Sequence, residues 1–167
     1  MALRRPDPQF RRTNKMPLAV SAVVYEDASR LRPDGRPSGR VLAVRRPEEV
    51  GEPFGGMWGL PAATVGESET PEQAVRRLGS QKLGMTLAIV AEIARGKQDR
   101  AEGELSMVLF ETRAVEAEPK LGRGDEADGV TYYTDWKWAE AEVFEPTAAA
   151  GSLCCRLFLE AAGQRES

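Results

Sequence analysis

Histidine is absent from this sequence. That excludes Ser-His-Asp and Cys-His catalysis, histidine-ligated zinc and a histidine general base. Proton chemistry is left to carboxylates, Lys, Tyr, Ser or Cys. Cysteine is scarce: Cys154 and Cys155 are the only two, and they are neighbours. They form neither a disulfide framework nor a metal-binding spacing. No apolar run approaches the length of a membrane span and no signal-peptide pattern is present, so no membrane partner is expected and the expected location is cytoplasmic. Charge of either sign has little excess. A net charge of −3 gives no overall pull toward nucleic acid.

What is present fits one ordinary globular domain: 167 residues, 41% hydrophobic and 29% charged, enough chain for a sizeable core. The most informative stretch is Gly56 to Met85, GMWGLPAATVGESETPEQAVRRLGSQKLGM. Its first part is turn-forming and apolar. A strong helix start follows: Thr70 suits an N-cap, Pro71 the first helical position, and Gln73 closes a Thr-x-x-Gln capping box. The helix is expected to run through Ala74, Val75 and Leu78 to Leu83, with Gly84 ending it at C′.

This stretch resembles the Nudix box, the loop–helix–loop of the Nudix hydrolases. The family pattern is Gly, five residues, Glu, seven residues, Arg-Glu, a bulky apolar residue, any residue, Glu-Glu, any residue, Gly, apolar. Glu69, Arg77, Gly84 and Met85 match it. Trp58, Leu60-Pro61 and Thr70-Pro71-Glu72 agree with its flanks. The resemblance implies a Nudix-like α/β/α sandwich with a mixed β-sheet, and a structural ion pair between Glu69 and Arg77.

The departures fall on the chemistry. In the family, three glutamates on one face of the helix hold divalent metal; here those positions are Leu78, Gln81 and Lys82. Spacings of i, i+3 and i+4 share a helix face, and three carboxylates there would make a hard-oxygen site for magnesium or manganese. Leucine supplies no ligand, glutamine only a neutral carbonyl, and lysine a cation that repels the metal. The face changes from three negative charges to one positive. Gly79 also replaces the bulky apolar residue, and Ala63 the opening glycine. Lys82 could meet a phosphate directly, with Gln81 beside it, or could be a solvated residue near a helix C-terminus.

Along the rest of the chain, residues 1–15 carry five cations against Asp7 and read as a basic arm, either merely solvated or reaching an acidic partner. Residues 16–163 form the Nudix-like domain and 164–167 a tail. Pro17–Tyr25 is apolar on both faces, as a central strand should be. Residues 28–39 are turn-rich. Arg40–Arg46 is a second strand, and in the family such a strand leads to the substrate mouth, so Arg45 or Arg46 could face phosphate. Met85 to about Arg95 alternates as a strand, Gly96–Gly103 reads as a polar turn, and Leu105–Phe110 as the hairpin partner. The acidic loop 115–129 holds Asp125 and Glu126; family members often take a further acid from this region. Val130–Trp138 is aromatic and β-prone, and Tyr132, Tyr133, Trp136 and Trp138 could stack on a base or fill a core. In the closing helix, Leu153, Cys154, Leu157, Phe158 and Ala161 make an apolar stripe with buried thiols, and Gly163 is a terminator.

Three functions stay open. The first is a Nudix-fold protein with a degenerate box that binds a nucleotide or other phosphorylated small molecule without efficient hydrolysis. Lys82, Gln81, Arg45, Arg46 and Trp58 would contact the ligand, with no metal and no cofactor. The second is an active hydrolase of a nucleoside-diphosphate-linked substrate, using magnesium held by other acids; Glu69, Glu72 and Glu126 are its catalytic candidates, and Glu67 a further ligand. The third is a non-catalytic scaffold for protein association. Homodimerisation is a family tendency.

Overall fold

The computed structural model describes residues 17–26, 39–49, 53–101, 103–122 and 132–166. The basic arm, the 28–38 excursion, Asp125 and Glu126 lie outside the described residues.

Strand β1 (Leu18–Val24) is the centre of the molecule. It pairs antiparallel with β4 (Ala62–Thr64) and parallel with β6 (Gly103–Ala114). Antiparallel β5 (Leu87–Arg100) completes a mixed sheet in the order β4-β1-β6-β5. A second, antiparallel sheet has the order β3-β2-β7, from Trp58–Gly59, Val41–Arg45 and Asp135–Ala139. The apolar run before the box helix therefore contains two short strands, β3 and β4, rather than loop alone.

Burial on both faces of β1 follows from its sequence. Val20, Ala22 and Val24 enter one core while Ala19 and Val23 enter the other. Helix α1 (Pro71–Leu78) covers the first core through Ala74, Val75 and Leu78. Helix α3 (Leu153–Glu166) covers the second through Leu153, Cys154, Cys155, Leu157 and Phe158. A helix on each side of the strands is the α/β/α arrangement. A 3₁₀ turn (Ala141–Phe144) and the short helix α2 (Glu145–Ala149) lead into α3.

Three boundaries differ from expectation. Gly96–Arg100 is strand, with Lys97 opposite Ser106 and Gln98 opposite Leu105. Its polarity hid it: β5 is an edge strand, and such strands carry charge on the face left to water. Strand β7 starts only at Asp135, with Tyr132 and Tyr133 ahead of it. Gly163 lies inside α3, which continues to Glu166 through most of the expected tail. Its φ is not positive, so the helix simply passes through it. Among the described residues no helix is long and apolar enough to cross a membrane.

Candidate functional site

The box begins as local chemistry dictates. Thr70 Oγ1 accepts from Gln73 N at 3.1 Å, and Gln73 Oε1 accepts from Thr70 N at 2.9 Å. Pro71 occupies the first turn, where its missing N–H costs nothing. Ahead of the cap, Glu69 Oε1 accepts from Gly66 N at 2.9 Å. Arg77, two turns on, donates Nε to Glu69 Oε2 at 2.7 Å and Nη2 to Oε1 at 2.9 Å. Its Nη2 also reaches the Thr64 carbonyl at 2.8 Å. This fork-to-fork pair ties loop, helix and β4 together. The hydrogen bonds from Arg77, then that from Gly66, hold the Glu69 carboxyl down at about 2. The same partner raises Arg77 above its ordinary value.

After Leu78 the helix changes character. Residues Gly79–Leu83 form one π-helical turn, closed by left-handed Gly84 at φ +60°. Two glycines make this possible. A Cβ on Gly79 would stand 2.7 Å from Leu87 Cγ and from the Met85 carbonyl, so the space of the family's bulky apolar residue is filled by Leu87. A Cβ on Gly84 would meet the Lys120 carbonyl at 2.4 Å. Residues 120–122 cross there, with Lys120 N donating to Leu83 O at 2.7 Å and Gly122 N to Lys82 O at 3.1 Å.

The three metal-face positions have three different fates. Leu78 is fully buried in the first core. Gln81 is half-buried and accepts from Arg77 Nη1 at 3.4 Å. Lys82 is 7% exposed, which overturns its reading as a solvated helix residue. Its Nζ donates to the Ala62 carbonyl at 2.9 Å and stands 5.2 Å from the Tyr133 ring centroid. Tyr133 secures the same peptide: its hydroxyl accepts from Ala62 N at 2.9 Å and donates to Ala62 O at 3.2 Å. Lysine is long enough to bury its stem and still carry its ammonium to a carbonyl.

Beside this junction lies a cleft of about 400 Å³. Among the described residues Arg46, Arg77, Lys82 and Arg100 line it, and no carboxylate does. Strands β1 and β4 contribute Ala19 and Ala62–Thr64, while Phe54, Leu105, Met107 and Leu153 supply apolar wall. Ser152 and Cys154 stand at the start of α3. The cleft thus joins a cationic rim to an apolar body.

The cleft gathers only part of what the sequence nominated. Lys82 and Arg46 are in its wall; Arg45, Trp58, Gln81, Glu69 and Glu72 are not. Arg45 turns aside to the Gly56 carbonyl at 3.1 Å and to Glu48 at 3.5 Å. Trp58 carries Lys137 Nζ over its ring at 4.4 Å and packs on the second core. Glu72 is exposed in the first turn of α1. Of the aromatics, Tyr133 is core, and Trp136 and Trp138 meet edge to face at 5.9 Å; none of them, nor Tyr132, lines the cleft. The cysteines are free and buried. The Cys155 thiol is pushed up by its hydrogen bond to Cys154 and then by burial.

A family model, the NUDIX domain, matches residues 16–152. The chain belongs to the Nudix family. The search of curated proteins finds no match. Solved structures agree on the fold. The MutT protein from Methanosarcina mazei Go1 aligns at 17% identity and TM-score 0.66, over 91% of this chain and 96% of that one. The NUDIX domain of Shewanella oneidensis NrtR, complexed with ADP ribose, aligns at 21% identity and TM-score 0.61, over 97% and 94%. A Caenorhabditis elegans Ap4A hydrolase binary complex aligns at 16% and 0.60, over 90% and 98%.

Active Nudix enzymes use a divalent metal such as magnesium. The residues at the metal face of this Nudix chain do not fit one: an apolar side chain sunk in the core, an amide held by Arg77, and an ammonium. Among the described residues no cluster of three or more Cys, Asp or Glu is placed to hold a metal. Arg100, Phe54, Ser152 and Cys154 were missed as site residues. They come from a hairpin end, a loop and a helix start far from the box in sequence, and only Arg100, a charge in a polar strand, carried any signal.

Proposed function

We propose that this Nudix protein binds a nucleotide or similar phosphorylated ligand in the cleft and does not hydrolyse it efficiently. One observation carries the reading. Lys82, at the position that the resemblance to the Nudix box gives to a metal ligand, lines a cleft whose other charged residues, among those described, are Arg46, Arg77 and Arg100. Fixed cations can neutralise phosphate oxygens in place of metal. One ammonium contact at about 4 Å is worth up to about 4 kcal/mol at an effective dielectric of about 20, before desolvation. These cations cannot lower the pKa of a water as a bound metal does, and losing that activated water removes several kcal/mol of barrier reduction. Binding without turnover is the consequence. The apolar wall at Phe54 and Met107 suits the uncharged part of such a ligand. The ADP ribose in the Shewanella structure and the Ap4A hydrolase among the similar folds support a nucleotide-linked ligand.

A thermal-shift titration with ADP and ADP ribose, with magnesium or with chelator, tests this. A ligand that binds the native state raises the melting temperature by mass action. The expected shift is the same with chelator and shrinks with salt. A magnesium-dependent shift with turnover near about 1 s⁻¹, ordinary for an enzyme, would overturn the proposal in favour of hydrolysis. No shift with either nucleotide would favour a scaffold.

A further inference from the structure

Cys154 and Cys155 are neighbours in the chain with different surroundings. Cys155 has no exposed surface and does not line the cleft. It packs toward Gly59, where an added Cβ would stand 3.7 Å from its Sγ. Cys154 keeps 5% of its surface and is part of the cleft wall. One thiol is sealed in the core, and the other faces a cleft of about 400 Å³.

The groups around Cys154 favour its thiolate. It takes the second position of α3 (Leu153–Glu166), where the amide dipoles stabilise negative charge. Ser152 caps that helix, its Oγ accepting from Cys155 N at 3.4 Å. The same Oγ stands 3.5 Å from Cys154 Sγ. With its oxygen turned to the amide, the Ser152 hydroxyl has its proton free to point at the sulfur. Hydrogen bonding by the Cys155 thiol, then by Ser152, and the charge of Arg46 hold the Cys154 thiol below its ordinary range, against the opposing effect of burial. The bond to Cys154 and burial push Cys155 the other way, so Cys155 keeps its proton. Cys155 is the donor of the pair and Cys154 the nucleophile. The segment is braced from β5, where Gln98 Nε2 donates to the Gly151 carbonyl at 2.9 Å.

Charge in front of the sulfur sets what reaches it. Arg46, Arg77, Lys82 and Arg100 share its cleft, and among the described residues no carboxylate does. Such a field concentrates anions and turns cations away. The apolar wall at Leu105, Met107 and Leu153 receives the uncharged part of a reagent.

We infer that Cys154 is a covalent modification site, a cleft thiol that exchanges with small disulfides carrying carboxylates. The inference goes beyond phosphorylated-ligand binding and stands whether or not the cleft takes a nucleotide. In the exchange, the Cys154 thiolate attacks one sulfur of the disulfide. The reagent's S–S bond breaks, a new S–S bond joins its sulfur to Cys154 Sγ, and the other half leaves as a thiolate with the electron pair. The protein sulfur is oxidised and the departing sulfur reduced, so the disulfide is itself the oxidant. A proton initially on Cys154 goes to solvent.

The test treats the full native chain with dithiobis(nitrobenzoate), an anionic disulfide, and with dithiodipyridine, a neutral one, and follows the thiol released. One equivalent is expected from the native chain and a second only after denaturation. Fragment-level mass spectrometry of the parent should place the adduct on Cys154, a readout that does not depend on any variant folding. Scaled to mercaptoethanol, the anionic disulfide should react about tenfold or more faster than the neutral one, an advantage that salt removes. Cys154→Ser is expected to stop the native release and Cys155→Ala to keep it. No release from the native chain, or an adduct on Cys155, overturns the inference. Equal scaled rates for the two disulfides overturn the anionic class.

Discussion

From Gly66 to Arg77 the box is held by contacts made mainly within itself: the Thr70–Gln73 capping box, the Gly66 N–H on Glu69 and the Glu69–Arg77 fork. From Leu78 to Gly84 it is held by the rest of the molecule. Leu78 joins the core, Gly79 admits Leu87, Lys82 reaches β4, and residues 120–122 cross the π turn. The first half keeps the family's residues where they are structural. The second half is where Leu78, Gln81 and Lys82 stand. Leu78 and Lys82 are engaged by the rest of the molecule, and Lys82 is so at the wall of the cleft.

The strongest way to break this contrast is Leu78→Glu, which restores a family ligand at a fully buried position. A lone carboxylate there, with apolar contacts removed, is expected to cost about 4 kcal/mol or more. Urea denaturation measures it. A loss under about 1 kcal/mol, the level of an ordinary surface change, would mean that the second half is not committed to the core. Lys82→Ala comes next. It strips a buried stem and one donor from the Ala62 carbonyl, and about 2 kcal/mol is expected. Lys82→Met keeps most of the packing and should recover part of that stability while still losing ADP affinity. Full recovery of both would reduce Lys82 to a packing group.

Arg77→Ala probes the first half and sharpens the comparison through pH. The Glu69 carboxyl is held at about 2 against an ordinary 4.5. Its native pKa lies below the unfolded one, so its stabilisation is complete above about pH 4.5 and is lost as pH falls toward about 2. Both partners keep some solvent contact, and the discounted cost of Arg77→Ala at neutral pH is about 1–2 kcal/mol. The variant should show a shallower fall in melting temperature across that acid window. An unchanged acid profile would show that other carboxylates dominate it. The smallest effect is that of Thr70→Ala, about 1 kcal/mol for a lost N-cap. ADP binding should not change, since the cap lies outside the cleft. A binding change there would make the two halves one coupled unit.

The sequence by itself determined whatever rests on neighbours in the chain. Thr70, Pro71 and Gln73 specify the start of α1 within four positions, and Gly84 its left-handed end. The doubly apolar run 18–24 specifies a central strand, because only a strand covered on both faces can use it. The spacing from Glu69 to Arg77 spans two helical turns, so the residue types alone bring a carboxylate and a guanidinium to one side of the helix. Tertiary structure decided the rest. A polar run such as Gly96–Arg100 becomes strand only when β6 lies beside it, for alternation of polar residues carries little hydrophobic signal. Gly163 ends nothing, because a glycine terminates a helix only where the chain turns left-handed. Whether Lys82 faced water or the interior depended on a carbonyl twenty residues away and a tyrosine ring from β7's approach. Arg100 joins the cleft because the hairpin is long and its end is tied to Gly151, a distance in sequence that no local pattern reports.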